Sequence, residues 1–253
     1  MTGQQPNKES RRAHTDDVCA LLRLSPRLRC IAEGVPQGAC LADIGTDHGF
    51  LPAYLLQSGR IARAIASDIN AAPLESARRT AARCGVSDRM EFRLCAGLDG
   101  FAPDDADTVV IAGMGGETIL TILENAPWLL ESEIALRLQP MTRTEALRPW
   151  LVENGYRIDG ERLVLDRGTI YAVLSVSPGE GKALSRAEIW CGADTRHEAL
   201  YGAYARDRIR KLEEAAAGVR RAKDKDREAL RALEADAEAL KQSVKEWEDA
   251  NRS

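Results

Sequence analysis

The sequence predicts an α/β fold: a Rossmann-like, doubly wound and mostly parallel sheet that ends in an antiparallel hairpin, with a helical coiled-coil hairpin at the C-terminus. Short apolar segments rich in β-branched residues alternate with helical segments over residues 40–154, which is the pattern of parallel βα units. Two strand-like segments then follow without an intervening helix. After residue 181 the chain is rich in Ala, Glu, Lys, Arg and Leu, a composition typical of long exposed helices.

Strands and helices alternate regularly in the first part of the chain. The predicted strands are Cys40–Ile44, Arg63–Ser67, Met90–Leu94, Thr108–Ala112 and Ile134–Gln139. The predicted helices are one carrying Leu51, Leu55 and Leu56, one at Ala72–Cys84, one carrying Ile119, Leu120 and Leu123 after a turn at Gly113–Gly116, and one at Thr144–Asn154. The closing hairpin pairs Tyr156–Leu165 with Thr169–Val176 around a turn at Asp166–Gly168. Because parallel strands bring their carboxyl ends to one edge of the sheet, we expect the ligand site at that edge.

The C-terminal part has the residue spacing of a coiled coil. Its two apolar seams are Ile209, Leu212, Ala216 and Val219, and then Leu230, Leu233, Ala237, Leu240, Val244 and Trp247. We place the turn at Lys223–Asp226, between a basic first arm and an acidic second arm whose opposite charges favour pairing. Such seams pair within one chain or between two, so the oligomeric state stays open. We expect a flexible tail at 1–14, the α/β domain at 15–178 and the helical hairpin at 183–253.

Composition limits the classes of protein that the chain can belong to. With 253 residues, 44% of them hydrophobic, it can bury one α/β domain and a smaller appendage. The polar start and the lack of a run of roughly 18 apolar residues predict a cytoplasmic protein without signal peptide or membrane span. The cysteines form no CxxC pair and share no ligand spacing with the histidines, so we expect reduced cysteines and no metal site. A net charge of −4 argues against a uniformly basic nucleic-acid-binding protein.

A glycine-containing turn with acidic neighbours follows the first predicted strand. Asp43 and Gly45 stand at the end of that strand, and Asp68 stands at the end of the second. Glycine lets the backbone approach a ligand, and a carboxylate at the second strand end can accept hydrogen bonds from ribose hydroxyls, so the arrangement predicts an adenosyl cofactor. Asp47 occupies the middle position where a GxGxxG turn would seat a pyrophosphate, which favours phosphate-free, cationic S-adenosylmethionine over a nicotinamide dinucleotide. The alternative is that Asp43 and Asp68 only cap turns.

Longer segments of the chain resemble the bacterial tRNA adenine-N1 methyltransferases of the TrmK type, which are named for modifying adenine 22 of tRNA. The matching segments are Leu41–Pro52, Val110–Gly116, Leu138–Pro140, Leu147–Arg148 and Asn154–Tyr156. The resemblance extends from about Leu24 to Ser175, and a C-terminal coiled-coil hairpin is also typical of that family. It implies a methyltransferase that uses S-adenosylmethionine as its cofactor and N1 of an adenine in tRNA as its target.

The resemblance also implies which residues form the site. For the cofactor they are Asp43, Ile44, Gly45, Asp68, Ile69, Ala96, Gly97 and Gly113. For catalysis and the target base they are Asp47, His48, Phe50, Met114 and Gln139, with Gly115 beside them. Since N1 of neutral adenine carries a lone pair, alignment with the sulfonium methyl group matters more than a strong base.

Each side chain on the base side has an expected role. Asp47 would stabilise the cationic product, and His48 or Gln139 would hydrogen-bond the base edge. Phe50 would receive an adenine turned out of its stack. The alternatives are a turn-stabilising imidazole for His48 and a packing role beneath the base for Met114.

Three positions depart from the family pattern. Phe50 stands where the family usually has tyrosine, and Met141 stands where many relatives have asparagine. Ala96 occupies a position that is often acidic or Asn and that would contact the adenine amine of the cofactor. Because alanine cannot accept that hydrogen bond, we expect cofactor affinity to be weaker by one charge-assisted hydrogen bond, about 1.5–3 kcal/mol. Asp99 or a backbone carbonyl would restore the affinity if it accepts the bond instead.

Basic residues indicate how RNA would be held. The candidates are Arg11, Arg12, Arg23, Arg27 and Arg29 near the N-terminus, and Arg206, Arg208, Arg210, Lys211, Arg220, Arg221 and Lys223 in the first arm of the hairpin. The alternative is that these charges are only solvated surface. Two other functions stay open: a methyltransferase of the same fold acting on a small molecule or protein, and a non-catalytic RNA-binding module with a degenerate cofactor pocket.

Overall fold

The computed structural model describes residues 21–222 and 226–252, and one mixed sheet forms its centre. The strands are β1 (Ala39–Ile44), β2 (Ile61–Asp68), β3 (Met90–Leu94), β4 (Thr108–Gly115), β5 (Ala135–Thr142), β6 (Tyr156–Asp166) and β7 (Thr169–Pro178). Within the described residues the strand order is β3-β2-β1-β4-β5-β7-β6. Strands β1 to β5 are parallel, and β7 pairs antiparallel with β5 and β6. The predicted fold class is confirmed.

Helices cover both faces of the sheet. They are α1 (Pro26–Gly34), α2 (Phe50–Gln57), α3 (Ala71–Arg83), α4 (Gly116–Glu124) and α5 (Thr144–Glu153). Ile44 of β1 and Val109 of β4 lie in one buried apolar cluster with side chains of α4 and α5. Leu41 and Val110, from the same two strands, lie in another cluster with side chains of α1, α2 and α3. Because both faces are buried, β1 and β4 are mostly apolar and do not show a regular alternation of apolar and polar residues.

Two local features differ from the prediction. The turn predicted at Gly113–Gly116 is wrong in part: β4 extends to Gly115 because β5 continues beside it and keeps Gly115 opposite Thr142. Helix α1 is absent from the sequence-based predictions, although Ser25 followed by Pro26 is a helix-start signal. The Ser25 hydroxyl accepts a hydrogen bond from the Leu28 backbone N–H at 3.4 Å.

The C-terminal part packs against the sheet domain as a hairpin preceded by one short helix. Its helices are α6 (Arg186–Cys191), α7 (Tyr201–Arg221) and α8 (Arg227–Ala250). Arg206 of α7 pairs with Glu248 of α8, and Arg220 pairs with Glu234, so the two long helices are antiparallel and their opposite charges meet as predicted. Helix α6 was not predicted, because its few residues are too short a segment to show helical periodicity.

Some predictions fall on residues that the structure does not describe. The tail at 1–14, with Arg11 and Arg12, and the turn residues 223–225, with Lys223, lie outside the described residues.

In the part of the chain that is described, no helix combines the length and apolar character that a membrane span requires. The same residues contain no group of three or more His, Cys, Asp or Glu side chains placed to hold a metal ion.

A buried ion pair joins the C-terminal part to the sheet domain. Arg148 of α5 and Glu161 of β6 are fully buried, and their closest nitrogen and oxygen atoms are 2.8 Å apart. Arg148 also donates to the backbone carbonyl of Ile189 in α6 at 2.9 Å. One guanidinium therefore contacts α5, β6 and α6 together, which fixes the position of the short helix.

Removing one member of this pair leaves the other charge buried and unpaired. We expect Arg148→Met to lower the free energy of unfolding by about 3–5 kcal/mol, measured by urea denaturation. Arg162→Met is the matched control, since it removes an ion pair with Glu198 whose arginine is exposed to solvent, and such a pair contributes about 1 kcal/mol or less. Equal losses in the two variants would mean that burial adds nothing to the Arg148–Glu161 interaction.

Candidate active site

A cavity lies where the carboxyl ends of β1, β2 and β4 meet. Ile44 at the end of β1 is opposite Ser67 of β2 and Ile111 of β4. The cavity has a volume of about 540 Å³, within the range of roughly 300–1,000 Å³ that small-molecule sites occupy. Among the residues predicted for the site, those that line it are Ile44, Gly45, Asp68, Ile69, Ala96, Gly97 and Met114.

The turn after β1 is held against the end of β2. Gly45 has a φ of +72°, a conformation that glycine adopts without steric cost. The backbone N–H groups of Gly45 and Thr46 both donate to the carbonyl of Ser67, at 2.8 and 2.9 Å. A Cβ atom on Gly45 would overlap the Cε methyl of Met114, so the absence of a side chain lets Met114 form part of the cavity wall.

The two predicted carboxylates occupy different environments. Asp43 is buried beneath the turn, outside the residues that line the cavity, and its Oδ2 accepts a hydrogen bond from the Thr46 hydroxyl at 2.7 Å. Burial raises the pKa of Asp43 to about 6; the Thr46 hydrogen bond opposes this rise, and the charge of Asp68 adds to it. Asp68 lines the cavity and accepts a hydrogen bond from the Asn70 backbone N–H at 2.9 Å. Asp68 is therefore the carboxylate placed to contact a ligand directly.

The cavity wall is acidic. Asp68, Asp99 and Glu117 line it, and no Lys or Arg is among the lining residues in the described part of the chain. Such a wall favours a cationic, phosphate-free ligand and disfavours a pyrophosphate. Asp99 and Ala96 both line the cavity. Asp99 is therefore placed to accept a hydrogen bond from an adenine amine in place of a side chain at position 96.

Part of the wall was missed by sequence reasoning. Helix α4 contributes Glu117, Thr118, Thr121 and Asn125 at its end, next to the apolar Ile122. The polar residues recur at intervals of one, three and four positions, so they share one side of the helix. This polar stripe, directly after the glycine-rich segment, is the sequence pattern that indicates that α4 contributes to the cavity wall.

The predicted base-side residues Asp47, His48 and Phe50 lie in and after the same turn and are exposed. The rings of His48 and Phe50 stack with their centroids 5.2 Å apart. His48 Nδ1 lies 2.7 Å from the Ser76 hydroxyl, and its Nε2 lies 3.5 Å from an Asp47 carboxylate oxygen. The Ser76 contact fits a turn-stabilising imidazole, and the exposed stacked pair fits a surface for a base.

Gln139 is fully buried, and its amide is used within the protein. Its Oε1 accepts hydrogen bonds from Arg27 Nη1 at 2.5 Å and from the Gly113 backbone N–H at 3.1 Å. Its Nε2 donates to the carbonyl of Pro140 at 2.9 Å. Gln139 is thus arranged to position the end of β4, and Gly113 faces this network and is not among the cavity-lining residues. Arg27, predicted among the RNA-binding cations, is turned inward and also lies 3.7 Å from Asp166.

The Gly45 turn gives a direct test of the cavity. In Gly45→Ala, the new Cβ must displace Met114, which lines the cavity, and we expect affinity for S-adenosylmethionine to fall by about tenfold, measured by isothermal titration calorimetry. Gly59→Ala is the control, because Gly59 has a similar φ of +69° but nothing within 4 Å of the added Cβ. Equal losses of affinity would show a general effect of alanine at a positive φ on the folded protein, and not an effect of the overlap with Met114.

Comparison with known proteins identifies the α/β part. Residues 24–174 match the family described as a methyltransferase domain. The tRNA (adenine(22)-N(1))-methyltransferase of Bacillus subtilis is 36% identical over 162 residues, which cover 64% of this chain and 68% of that protein.

Two solved structures are similar over most of the chain. The B. subtilis M1A22 tRNA methyltransferase TrmK has a TM-score of 0.78 at 30% identity and covers 88% of this chain and 99% of its own. A Streptococcus pneumoniae protein solved in complex with S-adenosyl-L-methionine has a TM-score of 0.77 at 31% identity and covers 88% of this chain and 100% of its own. The resemblance that the motifs indicated is confirmed: the chain belongs to the methyltransferase-domain family, and within it to the TrmK type.

Proposed function

We propose that this chain transfers a methyl group from S-adenosylmethionine to N1 of an adenine in tRNA, at adenine 22 as the name of the Bacillus subtilis relative specifies. The observation that supports this most directly is the cavity at the ends of β1, β2 and β4. Its wall carries Asp68, Asp99 and Glu117 and, among the described lining residues, no basic side chain. A sulfonium nucleoside is the ligand that fits both the position and the charge of this cavity.

The residues present fit the cofactor one by one. Asp68 would accept hydrogen bonds from the ribose hydroxyls, and Asp99 would accept one from the adenine amine in place of a side chain at position 96. Gly45 and Gly97 allow close backbone approach. When bound, the cofactor supplies an electrophilic methyl group on sulfur.

The protein's contribution to the reaction is mainly alignment. Because the attacking nitrogen already carries a lone pair, no side chain has to remove a proton before attack. Asp47, with its exposed carboxylate, would stabilise the positive charge that develops on the base. The buried Gln139, hydrogen-bonded to Gly113, would keep the β4 end and Met114 beneath the base.

The target base must leave its stack to present N1. The stacked rings of His48 and Phe50 form an exposed aromatic surface beside the turn after β1, which suits an extruded adenine.

The proposal includes the location and the domain division of the protein. We propose that the reaction takes place in the cytoplasm, that residues 15–178 form the methyltransferase domain, and that residues 183–253 form the helical hairpin.

The decisive experiment is methylation of unmodified tRNA followed by nucleoside mass spectrometry. We expect 1-methyladenosine at position 22, and we expect Asp68→Ala to reduce its formation by about tenfold or more, the loss of one charge-assisted hydrogen bond. Asp88→Ala, which removes an exposed carboxylate away from the cavity, serves as the control. Methylation of a small molecule or protein without RNA would support the alternative enzyme. Absence of S-adenosylmethionine binding by calorimetry would support the non-catalytic RNA-binding module.

The role of Phe50 can be separated from cofactor binding. Phe50→Ala removes a stacking surface for which base–aromatic contacts contribute about 1–3 kcal/mol, so we expect kcat/KM for tRNA to fall by about tenfold while the Kd for S-adenosylmethionine is unchanged. Leu165→Ala, at an exposed apolar residue of β6, controls for loss of surface area. If both constants deteriorate together in Phe50→Ala, Phe50 is a packing residue of α2.

A further inference from the structure

A second groove lies between the sheet domain and the C-terminal helices. It has a volume of about 250 Å³ and is bordered by the end of β5, the start of β7, and helices α6 and α7. Its charged and aromatic lining residues are Arg143, Glu145, Tyr171, Trp190, Arg208 and Lys211. The volume is below the roughly 300–1,000 Å³ of self-contained small-molecule sites, which favours one part of a larger ligand.

Arg208 is the unusual residue of this groove. Its guanidinium lies over the Tyr204 ring, 4.6 Å from the centroid, and its Nε is buried without a hydrogen-bond partner. Among the described residues it has no carboxylate partner, whereas Arg206 pairs with Glu248 and Arg210 with both Asp207 and Glu214. The donors of Arg206 and Arg210 are thus used by carboxylates, whereas Arg208 keeps N–H donors from which no carboxylate of the described residues accepts.

Two further cations lie beside Arg208. Lys211 follows three positions later, on the same side of α7, and pairs with Asp207 at 2.8 Å. Arg143 lies 3.3 Å from Glu117 and 3.8 Å from Glu145. Glu145 is the single acidic residue among the described lining residues, so the lining itself holds three cations and one carboxylate, in contrast to the acidic cofactor cavity. Arg143 and Lys211 also pair with the carboxylates of Glu117 and Asp207 outside the groove, which leaves Arg208 as the described lining cation without one.

The groove and the cofactor cavity share a wall. Arg143 lines the groove, Glu117 lines the cavity, and these two side chains form an ion pair with each other. The Trp190 ring is held in place by a hydrogen bond from its Nε1 to Asp236 at 3.1 Å. The Arg143–Glu117 ion pair therefore separates the two sites. A ligand that occupies both would contact the cations and aromatic rings of the groove on one side of this pair and the acidic cavity on the other.

We propose that this groove binds a backbone phosphate of the tRNA next to the target adenosine, with Arg208 and Lys211 as the phosphate-binding side chains. This inference rests on the proposed function and narrows RNA recognition from the whole basic arm to one place on it. An unpaired guanidinium and an ammonium beside fixed aromatic rings are the combination that tracks a single-stranded nucleic-acid backbone.

The test compares Arg208→Gln and Lys211→Gln with Arg231→Gln, which removes an exposed arginine from α8. Affinity for unmodified tRNA is measured over a series of salt concentrations, and affinity for S-adenosylmethionine is measured by calorimetry. We expect each groove variant to bind tRNA about tenfold more weakly and to lower the salt slope by about one, as loss of one phosphate contact does. We expect the control to change neither value, and all three variants to bind the cofactor normally.

The outcomes separate the groove from the proposed function. Wild-type methylation of tRNA, together with unchanged tRNA affinity and salt slope in both groove variants, would overturn the groove and leave the function in place. A wild-type protein that neither binds nor methylates tRNA overturns both. Arg208 packs on Tyr204, so if Arg208→Gln does not fold, the exposed Lys211 carries the test, and Arg208→Lys shows whether charge alone is sufficient.

Discussion

The placement of β1 between β2 and β4, with all three strands parallel, is the constraint on which the site depends. At this point the order of the strands reverses, so the connections leaving the carboxyl ends of β1 and β4 diverge and leave a crevice between them. The close turn at Gly45 ties the end of β1 to the end of β2 through the carbonyl of Ser67. Asp68 at the end of β2, Gly97 after β3 and Met114 near the end of β4 therefore meet on its wall.

Charge is segregated around this crevice. The charged residues that line the cofactor cavity are carboxylates, whereas those that line the neighbouring groove are mostly cations. Arg143 and Glu117 form the boundary between the two. In a chain of net charge −4, this local separation would direct a cationic cofactor and an anionic polymer to different sides of one reaction centre.

Two buried polar networks hold the periphery to the sheet. Gln139 connects α1, through Arg27, to the backbone at Gly113. Arg148 and Glu161 connect α5 and β6 to the short helix α6. Each network satisfies its donors and acceptors inside the protein, which avoids the large cost of an unpaired buried charge. Both therefore help to specify where a helix packs against the sheet.

The sequence by itself determined the alternation of strands and helices, the acidic glycine turn at Asp43 and Gly45, and the two arms of the C-terminal hairpin, because each is encoded by local spacing and composition. It also carried the family resemblance in short contiguous motifs. Only the tertiary structure decided that Gln139 is bonded to Arg27, 112 positions away, and that Arg208 faces a groove shared with β5 and β7. Local patterns contain no information on which distant side chains meet, since that depends on how the helices pack against the finished sheet.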